Sequence, residues 1–484
     1  MLLPALFGGP VAVRHRGQPE PVPGSARAHG LPGAPRLPPH PHRTMTDVAL
    51  PPVASAAPRR QVAAWALWDW GSAAFNAVMV TFVFGTYLAS DAFGPDERGT
   101  AWLSTALAIA GVVIALTAPV MGRRADGAGR RRLWLGVMTA AVIACTAACF
   151  FVTPRESSLL LGVTLIALGT VFFEFAEVQV NAILVQISTP ATIGRISGIG
   201  WGAGYLGGIL LLLIVFVGFV SGDAHWFGIT EDEGLNIRVV ALVAAAWFLV
   251  FAIPVLVAVP DPAPAPAADG GPRRESVLGS YRELGATLAR MWREDRNTLW
   301  FLVASAVFRD GVGAVFVYGA ILGTTVYGLA ASDVVLFAIA ANVVAALGAF
   351  VGGQLDDAVG PRRVILGSLA AMVLVAGALF FASGTLAFWV GGLALCLFVG
   401  PVQSASRAFL GRLTTPRTAG EVFGLYATTG RAVGFITPAL VTLALALHPD
   451  NRVVIPVIAV VLVAGGLLFA RVTEPITRSA ESVR

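Results

Sequence analysis

From about residue 63 to residue 472 the chain alternates between long apolar runs and short polar breaks. The runs are roughly 20 residues long, enough at about 1.5 Å per residue to cross a hydrocarbon core as a helix. Barrel strands would be about half as long and would alternate apolar with polar positions, which these do not. Six helices are predicted at about 63–89, 101–121, 133–153, 158–187, 197–220 and 237–259. Six more follow at about 299–326, 331–353, 364–383, 386–406, 421–447 and 453–472. The expected fold class is an all-α integral membrane protein of twelve transmembrane helices in two six-helix halves, 59–259 and 299–472.

Polar composition dominates elsewhere. Residues 1–58 are rich in Pro, Arg, Gly and His and cannot build a core, so a disordered tail is expected. Met45 stands just ahead of the structured part, and 1–44 is expected to be either a dispensable tail or, the preferred reading, the product of a misassigned start. Between the halves, 260–298 opens with Pro260-Asp-Pro-Ala-Pro-Ala-Pro and continues as an amphipathic stretch. There Val277, Leu278, Tyr281, Leu284, Leu288, Met291 and Trp292 recur at helical spacing among Arg282, Arg290, Arg293 and Arg296, which predicts a helix on the membrane surface. Residues 473–484 form a second tail.

Composition then removes function classes. Hydrophobic residues make up 56% of the chain and charged residues 13%, about half the share of a soluble domain. All 33 basic residues counted as Lys or Arg are Arg. A chain without Lys has no Walker lysine and no Schiff-base lysine, which argues against an ATP-driven pump. Four of the six His lie in the N-terminal tail, and the other two, His225 and His448, fall in loops without metal-ligand company. No cofactor, metal or nucleic-acid partner is expected, and no enzyme. Cys145, Cys149 and Cys396 lie in apolar runs and read as packing residues.

The arginines are unevenly placed. One set of loops holds Arg59, Arg60, Arg123, Arg124, Arg130 to Arg132, Arg195, Arg362, Arg363, Arg412 and Arg417, together with the central linker and the C-terminal tail. The other holds only Arg98, Arg155, Arg238 and Arg452, among many Asp and Glu. The positive-inside rule places the first set and both termini in the cytoplasm, with a bacterial inner or plasma membrane as the expected location.

The halves are related. Gly122-Arg-Arg-Ala-Asp126-Gly-Ala-Gly129-Arg130-Arg131 and Gly353-Gln-Leu-Asp-Asp357-Ala-Val-Gly360-Pro-Arg362 share one template, every matched pair being 231 residues apart. Asp69 to Phe75 is echoed by Asp310 to Phe316 in the seventh span. The duplicated template resembles the signature loop of the major facilitator superfamily, with Arg124, Gly127 and Pro361 as departures. Trp65-Ala-Leu-Trp-Asp69-Trp-Gly, Arg195-Ile-Ser-Gly-Ile-Gly-Trp-Gly-Ala-Gly-Tyr205, Gln403-Ser-Ala-Ser-Arg407 and Phe423-Gly-Leu-Tyr426 are similar to the branch containing the autophagy-related vacuolar effluxers and their bacterial relatives. The resemblance implies a secondary transporter that rocks between two open states, proton-coupled, exporting a small solute such as an amino acid. A flippase or a receptor on the same fold is the alternative. It also implies a monomer whose partners are a solute, a proton and the lipid bilayer. Spans one, four, seven and ten should line a central cavity, spans five and eight should meet across the halves, and Asp126 should face the start of span eleven.

Ionisable side chains inside a bilayer are costly and need partners or a water-filled path. Glu174, Glu177 and Asn181 share one face of the fourth span, with either proton coupling or a structural hydrogen bond as their role. Glu174, nearer mid-membrane, is expected to matter more. Asp69 is either a gate charge or a helix cap; Asp310 is its repeat partner. Arg309 needs an acid, a carbonyl or an anionic solute group. Arg431 either pairs with a fixed acid or touches solute, and Gln403 and Arg407 stand near the mouth, where Arg407 could reach for headgroups. Asn76 completes the candidates. Gly202-Ala-Gly204-Tyr-Leu-Gly207 matches a dinucleotide fingerprint but has no strand before it. Gly198/Gly202, Gly200/Gly204, Gly204/Gly208, Ala341/Ala345 and Gly348/Gly352 are small pairs that let helices approach.

Overall fold

A bilayer offers no hydrogen bonds, so a spanning backbone must satisfy its own polar groups, and the long apolar runs become helices. The computed structural model describes residues 57–94, 98–221, 226–261 and 277–474. The N-terminal tail up to residue 56 with Met45, the Pro-rich part of the linker from residue 262 to 276, and the last ten residues lie outside the described residues.

The N-terminal half is α1 (Arg59–Leu88), α2 (Arg98–Ala128), α3 (Arg131–Phe151), α4 (Glu156–Ile187), α5 (Ile193–Val220) and α6 (Asp232–Ala258). A short amphipathic helix, α7 (Val277–Glu294), follows. The C-terminal half is α8 (Arg296–Thr325), α9 (Asp333–Val359), α10 (Pro361–Phe381), α11 (Thr385–Leu413), α12 (Ala419–Leu447) and α13 (Asn451–Phe469). The twelve spans fall where the apolar runs lie, but α2, α9 and α11 extend six or seven residues further at the arginine-rich end. Hydropathy ends at the first charges, whereas those extra turns are held by contacts to the opposite half.

The halves meet along two seams, α2 against α12 and α5 against α9. Pro119 sharpens the first seam. Having no N–H, it frees the carbonyl of Ala115 one turn earlier, and Thr428 Oγ1 from α12 donates to that oxygen at 2.9 Å. In the second seam Gly198 lies against the Ala349 carbonyl and Gly353. Gly348 and Gly352 do not serve it: they pack on Leu397 and Pro401 of α11, and Gly204 and Gly208 pack on α1. Small residues thus allow close approach on more faces than the α5–α9 contact alone. Among the described residues several helices are irregular, α5 being π-helical over Phe216–Val220. α1 is π-helical over Ala74–Phe82, and α12 breaks between Val433 and Ile436.

Candidate functional site

The duplicated loop closes the arginine-rich end twice. Gly122 lies so near the Gly420 carbonyl that a Cβ would overlap it, and Gly353 stands likewise against Gly194. The second template glycines, Gly129 and Gly360, turn the chain at φ +61° and +91°, a region that L side chains rarely adopt. Between them the Asp meets a helix start. Asp126 Oδ2 accepts from the Glu421 N–H at 3.0 Å at the beginning of α12. Asp357 accepts from the Gly194 and Arg195 N–H groups at 2.9 and 3.0 Å at the beginning of α5. Each carboxylate therefore meets unsatisfied N–H groups at the positive end of a helix dipole in the opposite half.

The arginines of the template diverge. Arg131 is buried, donates to Asp126 Oδ1 at 2.5 Å and reaches the Pro416 carbonyl across the seam. Its repeat partner Arg362 binds the Ala470 carbonyl at 2.8 Å, and Arg412 instead serves Asp356 and Asp357 at 2.5 and 3.2 Å. Arg130 is exposed. At the acidic end, by contrast, the four arginines stay within their own half: Arg98 pairs with Glu156, Arg155 with Glu233, Arg238 binds the Phe150 carbonyl, and Arg452 binds those of Phe380 and Ala382.

Above this closed end Arg407 forms a hub. It is 4% exposed, so it does not reach headgroups. Its guanidinium donates to Asp69 Oδ2 at 3.1 Å, to Ser197 Oγ at 3.0 Å, to the Ser197 carbonyl at 2.7 Å and to Asn181 Oδ1 at 3.5 Å. The rings of Trp65 and Trp201 lie 4.9 and 5.5 Å from it. One side chain of α11 thus binds α1, α4 and α5 together. Gly200 makes room, since a Cβ there would crowd Asp69, Arg407 and Trp65.

Asp69 and Arg407 sit at one end of a cavity of about 420 Å³ whose lining extends along α1 to Thr81 and Phe82, toward the acidic end. That volume lies within the range of about 300–1,000 Å³ usual for small-molecule sites. Helices α1, α4, α5, α8, α9 and α11 line it, with Asn76, Glu177, Asn342 and Gln403 as polar groups and Trp68, Phe173, Trp201, Tyr205 and Phe316 as rings. The Glu177 carboxylate has no hydrogen-bond or ion-pair partner among the described residues. Charges of both signs surround it: Glu174 and Asp69 on one account, Arg309 and Arg407 on the other.

The shared face of α4 is divided by depth. Glu174 pairs with Arg431 of α12 at 2.5 Å, Glu177 faces the cavity, and Asn181 joins the Arg407 hub. Arg309 stacks on Tyr426, its guanidinium 3.8 Å from the ring centroid, with Nη1 buried and without a hydrogen-bond partner among the described residues. Its neighbour Asp310 accepts from Thr437 N–H and Oγ1 at 2.7 and 2.6 Å, capping the second segment of α12. Asp69 and Asp310 are therefore equivalent in sequence but not in role: one pairs with an arginine, the other caps a broken helix. Sequence reasoning did not single out Ser197, Asp356 or Glu421 in the closed end, and placed Arg412 only among the loop arginines. For Ser197 and Glu421 the available signal was their early position in their helices.

Comparison with known proteins yields three kinds of likeness. A profile of the family described as "Vacuole effluxer Atg22 like" matches residues 98–480. "Uncharacterized MFS-type transporter YxiO" of Bacillus subtilis is 25% identical over 425 residues, covering 86% of this chain and 95% of the relative. "Autophagy-related protein 22-2" of Aspergillus clavatus is 26% identical over 277 residues, and the match spans 43% of that longer protein. Among solved structures, the proton:xylose symporter XylE of the major facilitator superfamily superposes with a TM-score of 0.66 at 14% identity. It covers 86% of this chain and 96% of that one.

Proposed function

The chain belongs to the vacuole effluxer Atg22-like family of major facilitator transporters, and from that premise we propose that it is a proton-coupled exporter of small zwitterionic solutes of the amino-acid class. It is an integral membrane protein with the fold of a secondary transporter. The arginine-rich end faces the cytoplasm, and the closed loops and open cavity correspond to an outward-facing state.

The observation that carries the reading is Glu177: an unpaired carboxylate on the wall of a cavity built from both halves. A carboxylate whose surroundings change as the halves rock binds its proton more tightly in one state than in the other, and that difference couples a gradient to solute movement. Around it, acids and amides suit a solute ammonium, Arg309 and Arg407 supply positive potential for a carboxylate, and the rings suit an apolar side chain. Glu174, already paired with Arg431, serves to hold α4 against α12 while the cavity is open to the acidic side.

The test is a solute screen on proteoliposomes of the purified protein. Amino acids, sugars and organic acids are supplied with and without an imposed pH gradient. Gradient-driven movement of amino acids supports the reading; movement of another class alone, or transport indifferent to the gradient, rejects it.

A further inference from the structure

The amphipathic helix α7 is docked on its neighbours mainly by one face, with Tyr281 at its edge. Ser280, Leu284, Thr287 and Met291 turn inward, with Ser280, Thr287 and Met291 at most 9% exposed. Two contacts fix the roll of the helix about its axis: Arg123 pairs with Glu283, and Arg124 Nε lies 3.4 Å from Ser280 Oγ. Tyr281 OH donates to the Leu116 carbonyl of α2 at 3.2 Å.

At about 100° per residue, Tyr281, Leu288 and Trp292 form a second stripe roughly a quarter-turn from the docked one. It is apolar and open: Trp292 is 60% exposed, and Tyr281 and Leu288 are each 37% exposed. About a further quarter-turn around stand Arg282 and Arg293, both exposed, whereas Arg290 lies on the side opposite the stripe. The order around the helix is thus protein contact, apolar stripe, arginine rim. At Tyr281 the open stripe adjoins α2, whose outer face must meet lipid. Leu116, beneath Tyr281, is 60% exposed on α2, and Trp300 and Val303 are exposed on α8.

We propose that α7 is a docking surface for anionic lipid. Its Tyr281, Leu288 and Trp292 enter the boundary between headgroups and acyl chains, and Arg282 and Arg293 bind headgroup phosphates. Charge complementarity selects the occupant: Arg282 and Arg293 rim an apolar stripe whose other edge is already taken by the bundle. Each arginine near an anionic surface contributes about 1 kcal/mol, roughly a fivefold gain in occupancy per residue.

The full chain, with Cys145, Cys149 and Cys396 replaced, is spin-labelled at Leu288→Cys and placed in nanodiscs. One set contains phosphatidylcholine alone, and in the other phosphatidylglycerol replaces part of it. Collisions with oxygen and with a water-soluble nickel chelate report depth. In anionic discs the label should be open to oxygen and shielded from nickel. It should move toward water when phosphatidylglycerol is omitted, and again when Arg282 and Arg293 are both changed to Gln. A label equally deep in both lipids, one open to nickel in both, or one shielded from both reagents because protein covers the stripe, would overturn the proposal. The lipid comparison uses one folded protein, so misfolding of the arginine variant cannot mimic the result.

Discussion

Asp69→Asn should open the arginine-rich end, because Arg407 would keep its charge and lose its counter-charge. Arg407 is buried where α11 meets α1, α4 and α5, so its bond to Asp69 exists only while that end is closed. Breaking a buried pair by removing one partner costs about 3–5 kcal/mol. Here the lower end applies: Arg407 keeps Ser197, Asn181 and two indole rings, and Asp69 lines the cavity rather than the packed interior. A loss of about 3 kcal/mol from one state alone changes its population ratio by about a hundredfold. The assay is pulsed dipolar distance measurement between spin labels at Ala128→Cys and Ala358→Cys, exposed positions in the two repeat loops of opposite halves, in the background lacking native Cys. The distribution should shift from short to long distances in Asp69→Asn. The double variant Asp69→Asn/Arg407→Gln should recover much of the short population, since a neutral pair leaves no stranded charge. An unchanged distribution in the single variant, or a double variant more open than either single one, refutes the hub as a lock.

Other consequences follow from the same contacts. Asp126→Asn and Asp357→Asn should each weaken the closed end by about 1–2 kcal/mol, a population change of roughly five- to thirtyfold, read with the same label pair. Thr428→Val leaves the carbonyl freed by Pro119 without its donor and should destabilise the protein by about 1 kcal/mol, seen as a small drop in thermal midpoint. A reporter active only in the cytoplasm, fused to the C-terminus, should be active; a silent reporter on a stably expressed fusion would reverse the assigned orientation.

Much of this architecture was legible in the sequence because bilayer crossing is a problem of length and hydropathy. The repeat was legible too, since the template glycines and aspartates have strict local reasons: a positive φ at Gly129 and Gly360, a close approach at Gly122 and Gly353, a helix start for Asp126 and Asp357. What the pattern could not give is partnership across the seams. Arg407 and Asp69 are 338 residues apart and unrelated by the repeat. Asp69 and Asp310 look equivalent until α12 breaks beside one of them and not the other. The same limit reordered the two α4 carboxylates. Depth alone favoured Glu174, but depth says nothing of Arg431, which occupies Glu174 and leaves Glu177 facing the cavity unpaired.

That reordering makes Glu177→Gln the sharpest test of proton coupling. Gln keeps the shape of the side chain and cannot titrate. Reconstituted protein is assayed for solute accumulation driven by a pH gradient and, in the same vesicles, for solute exchange without one. The account predicts that Glu177→Gln abolishes accumulation and its pH dependence while exchange continues. A Glu177→Gln protein that still accumulates solute against its gradient, with the pH dependence of the parent, would contradict it.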